Sequence, residues 1–463
     1  MKLEMTAGLL AGAAGGRLAR GGPGVKFDAF VTDSRRLRPG DFFWALKGDS
    51  RDGHAYLPVT LAGEPGGWVA AEEALRAQPE TPPVVVAVPD TLIALQRLAA
   101  WHRRRFSVPV AAVAGSNGKT TTKEMLRSVF SAAGAVCASP ASFNNRFGLP
   151  LSLLELLPAH QYAVFELGAV RRGDIRGLCA LARPDIGILT SIGPEHLESF
   201  GDLEGVFEAE TELADGLAPG GTLVYNCDDP YLSRLSGRAQ KKLSFGRSAG
   251  ADVRILPARD LLLECAAGRV RARLPRPCGR NYYNAAAAAA AALAAGLGPR
   301  EIAAGLENYS PPPMRLQELR FGGAAVILDA YNANPDSMAA ALAEMAGRPR
   351  PRYYLLGDMK ELGRHSPGYH AQLGAALAGA GAEAVFLAGP EMKTAVEAYY
   401  KAGGRCLVYG PSLEVWLAEA RRLIGRGEGT FLIKASRSMR FERIVEGLAA
   451  PAPGTDGDKE KLA

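Results

Sequence analysis

The sequence predicts an α/β protein of three domains: a small N-terminal α/β domain followed by two doubly wound parallel sheets. Three observations carry this. Strand-like apolar runs alternate with helical patterns along most of the chain, the signature of parallel sheets covered on both faces. At 463 residues the chain exceeds one hydrophobic core. Its 54 glycines and 31 prolines suit a turn-rich α/β chain rather than a helical bundle.

Residues 1–105 hold strand-like runs at 27–31, 41–46 and 83–89, with helical patterns between, as at 91–105. The apolar stretch 5–16 is glycine-rich and follows Glu4, which argues against a secretory leader. Residues 106–312 form the second domain, with strands expected at 109–114, 162–167, 186–190 and 222–226. From 252 to 274 the pattern changes to short strands without long helices, an antiparallel edge, and a helix at 285–297 follows. The uncharged run 281–299 is mostly alanine, which drives membrane insertion only weakly, so it reads as an ordinary helix. Ser310, Pro311, Pro312 and Pro313 break any regular element and mark the expected hinge. Residues 313–450 carry strands at 324–329, 353–357, 384–388, 406–409 and 430–434, a Rossmann-like domain. The polar tail, 451–463, is expected to be disordered.

The net charge of +6 is dispersed, which favours phosphorylated ligands mildly and does not argue for nucleic acid. Cys137, Cys179, Cys227, Cys265, Cys278 and Cys406 include no C-x-x-C pair. They read as small buried residues in a reducing compartment, so the protein is expected in the cytoplasm.

The strongest local signal is Gly115, Ser116, Asn117, Gly118, Lys119, Thr120 and Thr121, between an apolar strand and a helical pattern. A glycine-bearing turn there lets backbone N–H groups wrap a phosphate, and the helix N-terminus adds its dipole. Lys119 can reach the outer phosphates and the Thr120 hydroxyl can sit on a magnesium ion. The loop is shorter than the usual pattern, because Val113 stands where a first glycine is wanted. The second domain is therefore expected to be P-loop ATPase-like, binding ATP with Mg2+. An ordinary glycine turn with an exposed lysine is the bland alternative.

Ligands of doubly wound sheets lie beyond the carboxyl ends of the strands. Glu166, Thr190, Asp329, Asp358 and Lys434 all fall at or near such ends. Glu166 can supply an oxygen to magnesium, or it can be a surface or capping glutamate. His196 lies in a tight loop after a strand, where a structural histidine is the commoner outcome. Asn144 and Asn145 can orient a carboxylate or phosphate, or simply form a turn. Asp329 and Asn332 follow the first strand of the last domain. Lys434, Ser436 and Arg437 follow its last strand, where a solvated basic end is the even alternative.

Taken together these segments resemble the Mur ligase family across essentially the whole chain. The matches are Thr32, Asp33, Ser34 and Arg35 with Pro39 to Phe43; Leu46, Lys47 and Gly48; Asp52, Gly53 and His54; and the phosphate loop. Asn144 and Asn145 with Gly148 and Pro150 follow, then Asp329 to Met338, Gly357 to Gly363 with His370, and Lys434 to Met439 with Glu442. The resemblance implies an ATP-dependent amide ligase of peptidoglycan synthesis. The Tyr331 to Pro335 and Gly357 to Gly363 segments imply the member that joins D-alanyl-D-alanine to UDP-N-acetylmuramoyl-tripeptide. Its substrate carboxylate would attack the γ-phosphate of ATP, and the dipeptide amine would attack the resulting acyl phosphate. Carried over by position, Gly115 to Thr121 would bind phosphates, and Thr120, Glu166 and His196 would lie at magnesium sites. Asn145 would orient the reacting group, Asn284 would meet adenine, and Arg315 and Asp329 would meet ribose or phosphate. Ser34, Arg35 and Lys47 would hold the UDP-sugar. Lys434, Ser436 and Arg437 would face the dipeptide. A monomer is implied, without nucleic acid or membrane insertion.

Two positions depart from the family pattern. The family usually carries a lysine, carbamylated by carbon dioxide, where alignment puts Glu210. The expectation is that Glu210 supplies the carboxylate directly or through water; the rival is a weakened second metal site. At Gly279 to Asn284 the usual histidine is missing, and Arg280-Asn281 stands in its region. Two functional rivals remain: a folate-type ligase of the same superfamily, and a nucleotide-binding relative without turnover.

Overall fold

A computed structural model describes residues 2–48, 51–237 and 241–448. The tail expected to be disordered, 451–463, lies outside the described residues. Three sheets organise the chain, each roofed by helices.

The first sheet runs in the order Lys2–Thr6, Lys26–Val31, Phe42–Trp44, Gly67–Ala71, Val84–Val88, Arg17–Arg20. Its four inner strands are parallel and both edges are antiparallel. The apolar stretch near the start is helix Ala7–Ala14, whose Ala7, Leu10, Ala11 and Ala14 are buried. The edge strands and Gly67–Ala71 were not anticipated. Arg17–Arg20 is mostly exposed and carries two arginines, so it offers no apolar run to read.

The central sheet has nine strands among the described residues: Gly268–Ala272, Leu261–Cys265, Val253–Ile255, Lys241–Gly246, Thr222–Asn226, Ile186–Leu189, Val110–Ala114, Tyr162–Glu166, Val136–Ala138. Val253–Ile255, Leu261–Cys265 and Gly268–Ala272 form the expected antiparallel edge. The rest are parallel. Strand alternation sends Val110, Ala112 and Ala114 into one core and Ala111 and Val113 into the other. On the second face lies helix Gly279–Ala294, whose eight alanines from Ala285 to Ala292 are all fully buried. Methyl side chains let it settle close against the strands and against helix Lys119–Ser131, which shares that core. No described helix is long and apolar enough to cross a membrane.

The third sheet is ordered Gln317–Phe321, Ala324–Leu328, Thr430–Lys434, Arg352–Gly357, Ala384–Ala388, Leu407–Gly410. Five strands are parallel, as expected; Gln317–Phe321 is an additional antiparallel edge. It is half-exposed and polar, and it follows the proline run so closely that the sequence reads as linker.

Strand Val110–Ala114 sits between Tyr162–Glu166 and Ile186–Leu189. The phosphate loop, Glu166 and the 190–196 loop therefore leave the sheet side by side. The polarity of the sheet thus assembles one wall of a cleft of about 1250 Å³.

Candidate active site

The phosphate loop is built on two left-handed glycines, Gly115 at φ 116° and Gly118 at φ 89°. A Cβ on Gly115 would overlap the Thr190 hydroxyl, and one on Gly118 the Asn284 amide oxygen. Only glycine combines that backbone with that approach. The loop is clamped to the 190–196 loop. Ser116 N–H donates to Ser191 O at 2.7 Å, and Gly193 N–H to Ser116 Oγ at 2.9 Å. Helix Lys119–Ser131 starts at Gly118, so its free N–H groups open into the cleft.

Lys119 Nζ donates to Gly115 O at 2.5 Å and to Glu195 Oε1 at 3.2 Å. Burial works against its charge, but Glu195, Glu210 and Glu166 together hold its pKa above the ordinary value. Glu195 is itself buried, and that burial pushes its carboxyl up against the pull of Lys119. The cation is thus held on a carboxylate of the cleft wall, where a polyanion can draw it out.

Thr120 Oγ1 donates to Glu166 Oε2 at 2.7 Å, and Asn144 Nδ2 donates to Glu166 Oε1 at 2.8 Å. Arg315 Nη2 donates to the same Thr120 hydroxyl at 2.9 Å. Arg315 comes from the other side of the cleft, on a turn whose flanking residues, Met314 and Leu316, both have positive φ. Asp329 holds that turn: its Oδ1 accepts Leu316 N–H at 3.1 Å, and its Oδ2 accepts Lys434 Nζ at 2.6 Å. The Arg315 guanidinium lies 4.2 Å over the Tyr331 ring. Tyr331 in turn hydrogen-bonds Ser142 of the central unit. Asn334 Nδ2 donates to Asn117 Oδ1 of the phosphate loop at 3.1 Å. Asn334 also caps helix Pro335–Ala346 through a reciprocal box with Ser337.

Thr120 and Glu166 are hard oxygen donors side by side. Magnesium keeps most of its waters and takes few protein ligands beside phosphate. The donor set therefore fits that ion. Among the described residues no group of three or more His, Cys, Asp or Glu side chains forms a self-sufficient metal cage.

The Mur ligase middle domain matches residues 113–292, and the Mur ligase, glutamate ligase domain matches residues 314–437. A UDP-N-acetylmuramoyl-tripeptide–D-alanyl-D-alanine ligase of Escherichia coli is 33% identical over 441 residues, 92% of this chain and 95% of that protein. The chain belongs to the Mur ligase family. A crystal structure of MurF from Acinetobacter baumannii superposes with a TM-score of 0.88 at 31% identity, covering 96% of this chain and 99% of that one. The MurF ligase of Thermotoga maritima in complex with ADP gives 0.78 at 28%, covering 91% and 96%.

In this Mur ligase the cleft gathers Ser116 to Thr121, Asn144, Asn145, Glu166, His196, Asn284, Arg315, Asp329, Asn332 and Lys434. Other expected residues lie elsewhere. Ser34, Arg35 and Lys47 belong to the first unit and do not line this cleft. Arg35 is 85% exposed and folds onto Asp33 at 2.7 Å. Ser436 is buried, accepting Lys360 N–H at 2.9 Å, and Arg437 donates to Glu442 at 2.6 Å; neither lines the cleft. Asp358 turns inward, fully buried, and accepts Met392 N–H at 3.0 Å. Asn145 lines the cleft but spends its Oδ1 on Phe147 and Gly148 N–H groups, as a turn residue does.

Glu210 stands behind the loop rather than on the cleft wall. It is fully buried, and its Oε2 accepts Gly115 N–H at 2.6 Å. Its Oε1 has no hydrogen-bond partner. Burial pushes its pKa to about 7. Asn284 Oδ1 accepts from Thr122 at 3.3 Å, and its Nδ2 donates to Asn281 Oδ1 at 3.2 Å. Asn281, in the first turn of helix Gly279–Ala294, thereby supports Asn284.

Four residues of the cleft region escaped sequence reasoning as candidates: Glu195, Arg280, Tyr331 and Glu361. Glu195 adjoins His196 in a loop already singled out, which was a usable signal. Arg280 crosses the cleft to donate to Asp336 O at 2.8 Å. Glu361 Oε2 meets His196 Nδ1 at 2.5 Å, from the C-terminal unit. Burial opposes charge on the His196 ring, but Glu361 and Glu195 raise its pKa above the ordinary value.

Proposed function

We propose that this Mur ligase joins D-alanyl-D-alanine to UDP-N-acetylmuramoyl-tripeptide, converting ATP to ADP and phosphate. The observation that carries the reading is convergence: Lys119, Thr120 with Glu166, and Arg315 meet in one cleft, from two units of the chain. Relatives at 33% identity that span nearly the whole chain support the choice of substrates over a folate-type reaction. ATP and a UDP-linked precursor are cytoplasmic compounds, so the enzyme works there.

The chemistry requires two anions to meet. The tripeptide carboxylate attacks the γ-phosphorus, a C(O)O–P bond forms, and the bond to ADP breaks. The amine of the dipeptide then attacks the acyl carbon, phosphate leaves, and the amine gives up its proton. Lys119 and Arg315 supply positive charge where the anions would repel. The N–H groups of Gly118 and the first helical turn cradle the phosphates. Magnesium, which Thr120, Glu166 and His196 would hold, would withdraw charge from the phosphate oxygens. The cleft between the two units keeps water from the acyl phosphate. Ser34, Arg35 and Lys47 of the first unit hold the UDP-sugar, Asn284 meets the adenine, and Lys434 with Asn332 faces the incoming dipeptide.

A nucleotide-binding protein without turnover is the second reading, and Glu210 in place of lysine is what favours it. Phosphate release from ATP, measured with UDP-MurNAc-tripeptide in the presence and absence of D-Ala-D-Ala, separates the two. Dipeptide-dependent release with the mass of a pentapeptide product supports the ligase. ADP binding without product supports the second reading.

A further inference from the structure

The Gly357 to Gly363 segment has no part in the chemistry above. We propose that Glu361 is a positioning residue for His196, reaching from the C-terminal unit across its contact with the central unit, so that docking of the two units orients this ring. The inference rests on the ligase reading and adds a residue to it.

The contact is one of a continuous seam. Glu361 Oε2 lies 2.5 Å from His196 Nδ1. The main chain of the same residue accepts Glu198 N–H at 3.1 Å. A Cβ on Gly363, at φ 52°, would come within 3.1 Å of Glu198 Cα. His365 Nε2 lies 2.8 Å from Gly201 O. Segment 361–365 thus packs along segment 196–201.

Both ends of the pair sit in backbone that non-glycine residues rarely adopt, His196 at φ 48° and Glu361 at φ 67°. Such conformations persist where surrounding contacts demand them. The loop bearing Glu361 is held from beneath. Asp358, fully buried, accepts Met392 N–H at 3.0 Å and Lys360 Nζ at 2.7 Å. Met359 N–H donates to the buried His370 at 3.2 Å, and Lys360 N–H to Ser436 Oγ at 2.9 Å. Glu361 is the residue this platform projects. Its side chain is 58% exposed, so burial does not account for its placement, and a pair so exposed adds little stability.

A carboxylate on Nδ1–H fixes the tautomer and the rotation of an imidazole, leaving Nε2 as the acceptor. His196 lines the cleft, and Glu361 acts through it without touching substrate.

The test uses the full chain with Glu361→Ala and Glu361→Gln. Expected for Glu361→Ala is a kcat lower by about 10- to 100-fold, with affinity for magnesium–ADP weakened by about tenfold and affinity for metal-free ADP unchanged. Nitrogen shifts of the His196 ring, assigned through His196→Gln, should move away from the Nδ1–H tautomer. Glu361→Gln keeps an acceptor oxygen and should retain most of both readouts. Glu361→Ala with wild-type kcat, wild-type magnesium–ADP affinity and an unmoved His196 tautomer overturns the inference. Wild-type protein without dipeptide-dependent phosphate release would instead sink the ligase reading, and the tautomer and ADP measurements would still decide the role of Glu361.

Discussion

Glu210 accepts the backbone N–H of Gly115 at 2.6 Å, so a buried carboxylate stands directly behind the first glycine of an anion-binding loop. Its second oxygen is unpartnered, and its nearest compensating charge is Lys119, a residue a nucleotide will claim. Glu210 therefore bears on the charge balance behind the phosphate loop.

Glu210→Gln should stabilise the nucleotide-free protein increasingly as pH rises. The folded-state pKa, about 7, lies above the ordinary 4.5. The protonated acid's contribution is complete below the ordinary value and is lost as pH rises through 7. Glutamine stays neutral and keeps an acceptor for Gly115. Thermal midpoints compared at pH 5 and pH 8 should show a gap in favour of the variant that widens at pH 8; a constant gap contradicts the argument. The same variant bears on the carboxylate-substitution idea. Its magnesium titration of activity should shift to higher concentration, and an unchanged curve removes that idea.

Lys119→Met should lower kcat by about 10²- to 10³-fold, the usual effect of removing a group that stabilises transition-state charge. It should also destabilise the apo protein by about 3 kcal/mol or more, because Glu195 loses its cation in a buried site. Adding Glu195→Gln should restore the denaturation midpoint and leave activity low. Recovery of activity in the double variant would show that Lys119 is structural.

Gly118→Ala should weaken ADP binding at least tenfold by calorimetry. The residue is at φ 89°, and the added carbon would overlap the Asn284 amide oxygen. Strain of about 1–3 kcal/mol at such a position must be relieved by moving either the loop or Asn284, and both belong to the nucleotide wall. Wild-type affinity would mean that the loop reshapes on binding.

Asp329→Asn should cost about 3–5 kcal/mol in urea unfolding, since Lys434 is 1% exposed and already held below its ordinary pKa by burial. Lys434→Met, which removes the charge rather than orphaning it, should cost less. The order reverses if Asp329 is not the principal partner of Lys434.

The Val110–Ala114 strand, the phosphate loop and helix Lys119–Ser131 were legible because each rests on neighbours in sequence: an apolar run, two glycines, a helical period. Strand Gln317–Phe321 was not, because a polar edge strand acquires its identity only from the partner it pairs with. The resemblance implies that Asn145 orients the reacting group and that Ser436 faces the dipeptide. In the structure Asn145 Oδ1 accepts the Phe147 and Gly148 N–H groups of a turn and Ser436 Oγ accepts the Lys360 N–H, partners that position alone does not reveal. The role of Glu361 is not legible from its motif, since its partner His196 lies far away in sequence.

By itself the sequence determined the family, the alternation of strand and helix, and the loop that meets phosphate. These follow from local pattern, because glycine torsions and apolar periodicity are properties of adjacent residues. Tertiary structure alone decided which polar and charged groups face one another: Lys119 on Glu195, Arg315 on the Thr120 hydroxyl, Glu210 on Gly115, Glu361 on His196. Charges withdrawn from water choose partners by distance in space, and that distance exists only after the sheets have stacked.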